Sequence, residues 1–299
     1  MEKGGCTMSI DRLQEKIRKT KNPSVIDFGI LPEHIPPAIL QDEGSFTRAY
    51  GRFCMELLES LHGIVPAVRF SFAAFVVLGT EGLMTLSRVL AHAKKQGYYV
   101  LLDVPEALSR QNAQFFVQEL FRQENALEFD GVILSAYIGV DGLKPYAQML
   151  AESGKTMFAV IRTANRSAPQ LQDLLTGSRV VHMTVAESVN RLGENMLGKC
   201  GYSQIAGVAA ASSADGIRTL RSKFSTMFLL LDGYDYPNAN AKNCSFAFDR
   251  LGHGAIACAG ISVTAAWTQK FEGAEHYREL AVEAAHRMKK NICRHITVL

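Results

Sequence analysis

Residues 98–104 read Tyr98-Tyr99-Val100-Leu101-Leu102-Asp103-Val104. An apolar run without polar alternation suits a parallel strand covered on both faces rather than a half-exposed antiparallel one. Similar short runs occur at Ser24–Phe28, Ala67–Phe72, Gly131–Ser135, Met157–Arg162, Ile205–Ala209, Phe228–Leu231 and Ala255–Ala259, which makes about eight strands. Helical patterns fill the intervals. Gly82–Lys95 places Leu83, Leu86, Val89, Leu90 and Ala93 on one stripe, and Ala113–Arg122 does the same with Phe115, Phe116, Leu120 and Phe121.

Strand–helix alternation fits a doubly wound sheet or a closed barrel. Eight units in 299 residues favour the barrel, so the chain reads as α/β, a single (β/α)8 TIM barrel. No Pro-, Gly- or Ser-rich linker divides it. The expected organisation is an N-terminal tail over residues 1–10 and the barrel over residues 11–299. The long connection Leu175–Gly201 is expected to hold an extra or extended helix over Met183–Leu197.

The bulk properties belong to an ordinary globular protein: 47% hydrophobic residues, 20% charged residues and a formal charge of +3. The charges are interspersed, with no tract to follow a nucleic-acid backbone. The basic group Arg287, Lys289, Lys290 and Arg294 is read as a solvated helix end. Six cysteines without a CxxC pair suggest reduced thiols in a cytoplasmic protein, and no apolar run approaches the length of a membrane helix. The eight histidines, His182 among them, lack ligand spacing and read as surface or packing residues.

In such barrels chemistry occurs where the strands end at their C-terminal side. The residues there are Asp27 and Gly29, Arg69, Asp103, Ser135 and Tyr137, Arg162 to Asn165, Ala210 to Ser212, Asp232 to Pro237, and Ala259 to Ile261. From these, Asp27, Arg69, Asp103, Arg162, Thr163, Asn165, Asp232, Gly233 and Asp235 are the candidates for a ligand-binding or vestigial mouth.

Several segments resemble the bacterial type 2 branch of the orotidine 5′-phosphate decarboxylases. They are Asn22–Pro36 (NPSVIDFGILPEHIP), Pro66–Leu83 (PAVRFSFAAFVVLGTEGL), Tyr137–Pro145 (YIGVDGLKP), Phe158–Leu174 (FAVIRTANRSAPQLQDL) and Phe228–Tyr234 (FLLLDGY). Their order and spacing carry the resemblance from about Asp11 to Trp267. It implies a barrel that works without metal or prosthetic group, with active sites formed across a dimer interface. It also implies preorganised charge, centred on a D-x-K-x-x-D motif after strand three, that stabilises a carbanion until a lysine protonates it.

This sequence departs from that pattern where the chemistry lies. The motif stretch is Asp103-Val104-Pro105-Glu106-Ala107-Leu108, so proline stands in place of the proton-donating lysine and leucine in place of the second aspartate. Glu106 reads as an ordinary surface glutamate. The lysine at the end of strand two is Arg69, which can hold an anion or close the mouth through a salt bridge to Asp103 but cannot shuttle protons. The ribose-binding aspartate matches Gly29, with Asp27 nearby. The base-contacting serine matches Ala164, flanked by Thr163 and Asn165, whose expected role is to satisfy backbone groups. The phosphate arginine matches Ile261, and Asp232 and Asp235 place negative charge where a dianion would rest.

These losses share one direction. The favoured reading is a non-catalytic paralogue that binds a ligand or associates with another protein, as a homodimer or as a heteromer with a functional decarboxylase. Phe115 and Phe116 are expected to be covered at such an interface. One alternative is an active orotidine 5′-phosphate decarboxylase of UMP biosynthesis. The other is new chemistry at the mouth, with Asp27, Asp103, Asp232 and Asp235 converging on a hard cation such as magnesium.

Overall fold

The computed structural model describes residues 8–104, 109–122, 124–270 and 272–298. Eight parallel strands close into a barrel: β1 (Ser24–Asp27), β2 (Ala67–Ser71), β3 (Tyr99–Asp103), β4 (Gly131–Ser135), β5 (Thr156–Val160), β6 (Ile205–Ala210), β7 (Leu229–Asp232) and β8 (Ala255–Ala259). Closure comes from β1 pairing with β8, in register at Ser24 with Ala257, Val25 with Cys258 and Ile26 with Ala259.

The strands are buried on both faces because each face meets a different core. Inward residues such as Val25, Ala67, Leu101, Phe158, Phe228 and Leu230 fill the barrel, while Ile26, Val68, Leu102, Val132 and Leu229 pack outward beneath the helices. Alternation with period two then puts Asp27, Arg69, Asp103 and Asp232 on the inward side, each two residues past an inner-core residue of its own strand. The sequence thus delivers four charged side chains to one layer at the open end.

Among the described residues, eight longer helices surround or cap the strands: α1 (Ser9–Thr20), α2 (Phe46–Leu61), α3 (Gly79–Lys95), α4 (Arg110–Leu120), α5 (Val140–Ser153), α6 (Val181–Gly193), α7 (Ala214–Lys223) and α8 (Tyr277–Cys293). In α3 the stripe Leu86, Val89, Leu90 and Ala93 is fully buried, as its spacing requires. The extra helix of the long connection is α6, which starts at Val181 and follows a short antiparallel ladder between Leu175–Thr176 and Arg179–Val180.

Helix α6 ends at Gly193 rather than Leu197, and two other features differ from the sequence reading. Ser9 and Ile10, assigned to the tail, are buried in α1. Its apolar residues Ile10, Leu13 and Ile17 join the inner core and plug the closed end of the barrel. In α4 the buried face is Ala113, Val117 and Leu120, at i, i+4 and i+7, so Phe115 lies off the stripe and is 69% exposed. Phe116 packs edge-on against Phe72 of the same chain, with ring centroids 6.4 Å apart.

Candidate functional site at the barrel mouth

Arg69 is the centre of the mouth. Its guanidinium lies 2.6 Å from Asp103 Oδ2, 3.0 Å from Asp232 Oδ1 and 3.9 Å from Asp27 Oδ2. The Arg69 side chain is only 14% exposed. Burial works against its charge, yet Asp27, Asp232, Cys258 and Asp103 together hold its pKa well above the ordinary value. The salt bridge to Asp103, one of the two roles the sequence left open for Arg69, is present within a larger cluster.

One guanidinium facing three carboxylates leaves negative charge uncompensated. Asp27 carries the consequence: burial, reinforced by Asp232 and Asp103 and opposed by Arg69, pushes its pKa up to about 6. Its other oxygen accepts the Gly29 N–H at 3.1 Å. Asp27 is thus committed to Arg69 and to its own loop. Cys258, beneath Arg69, has its thiol pKa raised by burial and by the neighbouring carboxylates, and it behaves as a packing residue.

The convergence of carboxylates proposed for magnesium takes another form. Asp27, Asp103 and Asp232 do converge, but on a guanidinium, and Asp235 points elsewhere. Among the described residues no group of three or more His, Cys, Asp or Glu side chains could hold a metal ion. Asp235 accepts the Gly260 N–H at 2.6 Å and the Ser262 hydroxyl. A carboxylate of the protein thereby uses the donors that follow β8, beside the half-exposed Ile261.

A second polar network follows β5. Arg162 grips Asp173 through two hydrogen bonds of 2.8 Å each. This bidentate pairing holds the Asp173 pKa below the usual carboxylate value, and the same contact, outweighing burial, raises that of Arg162. His182 joins through Nδ1, 3.1 Å from Asp173 and 2.8 Å from the Gln172 carbonyl oxygen. Thr163 donates its N–H to the Gln172 side-chain oxygen and its hydroxyl accepts from the Gln172 amide, so the Gln172 side chain satisfies the backbone here and the Thr163 hydroxyl meets a side chain rather than a backbone group. Asn165 is exposed, and its carbonyl accepts the Ala168 N–H.

The loops after β5 and β7 touch directly. Gly233 has φ of +74°, and a Cβ there would lie 2.5 Å from the Ala164 Cβ. Asp27, Arg69, Asp103 and Asp232 are thus brought together, Gly233 and Asp235 border them, and Arg162 and Thr163 form a separate group. Pro105, Glu106 and Leu108 lie outside the described residues. The sequence reading did not single out Gln172, Asp173 or Ser262, and it set His182 aside with the packing histidines. Each lies several residues beyond a strand end, where no periodicity marks it.

No family model matches the chain. It is 27% identical over 287 residues to the orotidine 5′-phosphate decarboxylase of Clostridium novyi, covering 95% of this chain and 98% of that protein. The corresponding protein of Petrotoga mobilis is 24% identical over 288 residues, covering 95% and 98%. The solved orotidine 5′-monophosphate decarboxylase of Plasmodium berghei superposes with a TM-score of 0.74 at 14% identity, over 94% of this chain and 98% of that one. At that identity the superposition shows a shared fold.

Proposed function

We propose that this divergent member of the orotidine 5′-phosphate decarboxylase family is a non-catalytic barrel, kept for binding or for association with another protein. The observation that carries the reading is the pairing of Arg69 with Asp27, Asp103 and Asp232. A guanidinium hydrogen-bonded to Asp103 and Asp232, with Asp27 3.9 Å away, is already compensated by carboxylates of the protein, and the surplus negative charge opposes an approaching phosphate dianion. Asp235 on Gly260 and Ser262 supports the same conclusion, since a bound phosphate would have to displace it. Pro105, where the resemblance calls for a lysine, removes the proton donor.

The association reading rests on Phe115, a large apolar side chain that is 69% exposed on α4. We favour a homodimer through this face. Co-purification from the native cell would distinguish it from a heteromer with an active decarboxylase.

The deciding experiment measures orotidine 5′-phosphate binding by calorimetry and turnover by loss of substrate absorbance, for the wild type and for Pro105→Lys. Neither protein is expected to bind tightly or to turn over. Loss of several charge-assisted contacts, each worth roughly 1.5–3 kcal/mol, lowers affinity by orders of magnitude, and one lysine does not restore them. Micromolar binding or measurable turnover by the wild type would overturn the non-catalytic reading.

A further inference from the structure

Positive charges that are interspersed along the sequence are gathered by the fold into one face at the closed end, away from the mouth and independent of it. Helices α1, α3 and α8 all finish there. Polar ties hold the three ends together. Lys16 of α1 donates to the Gly97 carbonyl just beyond α3 at 2.5 Å, and Lys289 of α8 donates to the Thr20 carbonyl at 2.8 Å. The Cys293 thiol lies 3.6 Å from the Lys21 carbonyl, so the last turn of α8 rests against the end of α1.

Around these ties stand cations without partners. Arg18, Lys21, Lys95, Arg287, Lys290 and Arg294 are exposed, and among the described residues none of them forms an ion pair or a side-chain hydrogen bond. Arg12 and Lys94 are spent on Asp130 and do not belong to the face. The nearby acids are mostly committed as well. Asp11 is buried and accepts the Cys200 N–H, Glu15 pairs with Lys19 at 2.6 Å, and Glu59 lies 3.7 Å from His92. Glu283, one turn before Arg287, is exposed and offsets one of the six cations. The field of the face registers on Glu15, whose carboxyl is held below its ordinary pKa by the hydrogen bond and charge of Lys19 and then, against slight desolvation, by Arg18 and Lys16.

Helix dipoles favour cations at helix C-termini, but only within the last turn. That accounts for Arg18, Lys95 and Lys290. It does not account for Arg287, more than one turn before the end of α8, nor for the like charges of three helices set side by side, which repel. Among the described residues no exposed large hydrophobic side chain lies on α1, on α8 or in the second half of α3. A protein interface centres on aromatic or apolar anchors, and a helix lying in a membrane needs an apolar face; this surface has neither. A nucleic-acid backbone asks only for the charge, because phosphate contacts supply affinity without reading sequence. We propose that this face binds nucleic acid through its phosphates, along the row from Lys95 past Arg18 and Lys21 to Lys290 and Arg294.

The test follows fluorescence anisotropy of a labelled duplex DNA and a labelled oligouridylate as full-length protein is added, between about 50 and about 200 mM salt. Saturable binding at the lower salt, falling steeply as salt rises, is the expected result. Arg18→Glu combined with Lys290→Glu should weaken it about tenfold or more, and should lower the slope of log affinity against log salt by about two. The same pair changed to Gln serves if the Glu pair does not fold. Lys144→Glu combined with Lys242→Glu changes the net charge equally at exposed positions on the mouth side of the barrel, and should leave affinity nearly unchanged. The proposal is overturned by the absence of binding to either oligonucleotide at the lower salt, by affinity indifferent to salt, or by equal weakening in the two double variants. Tighter binding to vesicles containing phosphatidylserine than to either oligonucleotide would overturn it in favour of a membrane surface.

Discussion

Arg69 and Asp103 meet at 2.6 Å although they are not partners in the β2–β3 register, where Arg69 aligns with Leu101 and Asp103 with Ser71. The arginine leans upward to reach the carboxylate, and the same reach brings it to Asp232 on the far wall. Arg69→Met would leave three carboxylates facing one another without a cation. We expect a loss of about 3–5 kcal/mol at neutral pH, the range for breaking a buried pair. Without the cation the folded carboxylates bind protons more readily than the unfolded ones, so the deficit should shrink as pH falls. Urea unfolding at pH 7 and pH 5 measures both effects, and a deficit independent of pH would contradict the electrostatic account.

Asp27 offers the reciprocal change. Its folded pKa of about 6 exceeds the ordinary 3.8, so ionisation is harder in the folded state. Any such group penalises folding increasingly as pH rises from about 4 to about 6, and fully above that. Asp27→Asn keeps a side-chain acceptor for Gly29 and removes the penalty. It should therefore stabilise the protein by roughly 1–3 kcal/mol above pH 6, with the gain fading toward pH 4. Melting curves across that range decide the matter; destabilisation at pH 7 would mean that attraction to Arg69 outweighs burial.

Arg221 holds the closed end, and among the described residues no carboxylate is directly bonded to it. Its guanidinium donates to the carbonyls of Ala247, Ser225, Met227 and Gly254 at 2.7–2.9 Å, and more weakly to Phe224. Burial lowers its pKa relative to a free arginine. Arg221→Ala leaves several buried carbonyls without donors and should cost about 3–5 kcal/mol. Arg221→Lys should recover only a minor part, because a point charge cannot reproduce the planar fork. Equal stability of the lysine variant and the wild type would refute the role of geometry.

Gly233 and Ala164 form a pair that a double substitution can separate into two causes. Gly233→Ala meets both a left-handed backbone and the Ala164 methyl, and should destabilise by about 2 kcal/mol or more. Adding Ala164→Gly should return the steric share, roughly 1 kcal/mol, and leave the backbone share. Denaturant midpoints of the four proteins give the coupling, and a coupling of zero would exclude the contact.

The barrel was legible because its strands are unusually pure: Tyr99–Leu102 or Leu229–Leu231 cannot be anything half-exposed. Asp103 and Asp232 fall at the strand ends where the sequence placed them. Helix α1 was missed because SIDRLQEKIRKT is mostly polar, and only Ile10, Leu13 and Ile17 carry its buried stripe. Phe115 was misplaced because two adjacent phenylalanines cannot occupy one face of a helix, and the sequence does not say which one turns out. The Arg69 cluster could be named residue by residue, but not its closure, since the register of distant strands determines which carboxylates the arginine reaches. Nothing in the sequence marked the buried Asp130, whose carboxylate accepts from Arg12 on α1 at 3.0 Å and Lys94 on α3 at 2.7 Å.

The pairing of β1 with β8 has a kinetic side as well. The first strand leaves the ribosome early and must wait for almost the entire remaining chain before its second neighbour exists, because Ser24, Val25 and Ile26 bond to residues 257–259. Until then β1 has an open hydrogen-bonding edge, and the nascent protein exposes an apolar flank that invites other chains. Completion is a late, long-range event of the kind that slows folding. A polypeptide ending before Ala255 should accumulate as aggregate rather than as a smaller folded unit, which makes chaperone dependence during synthesis the cellular cost of closing the ring with its two extremes.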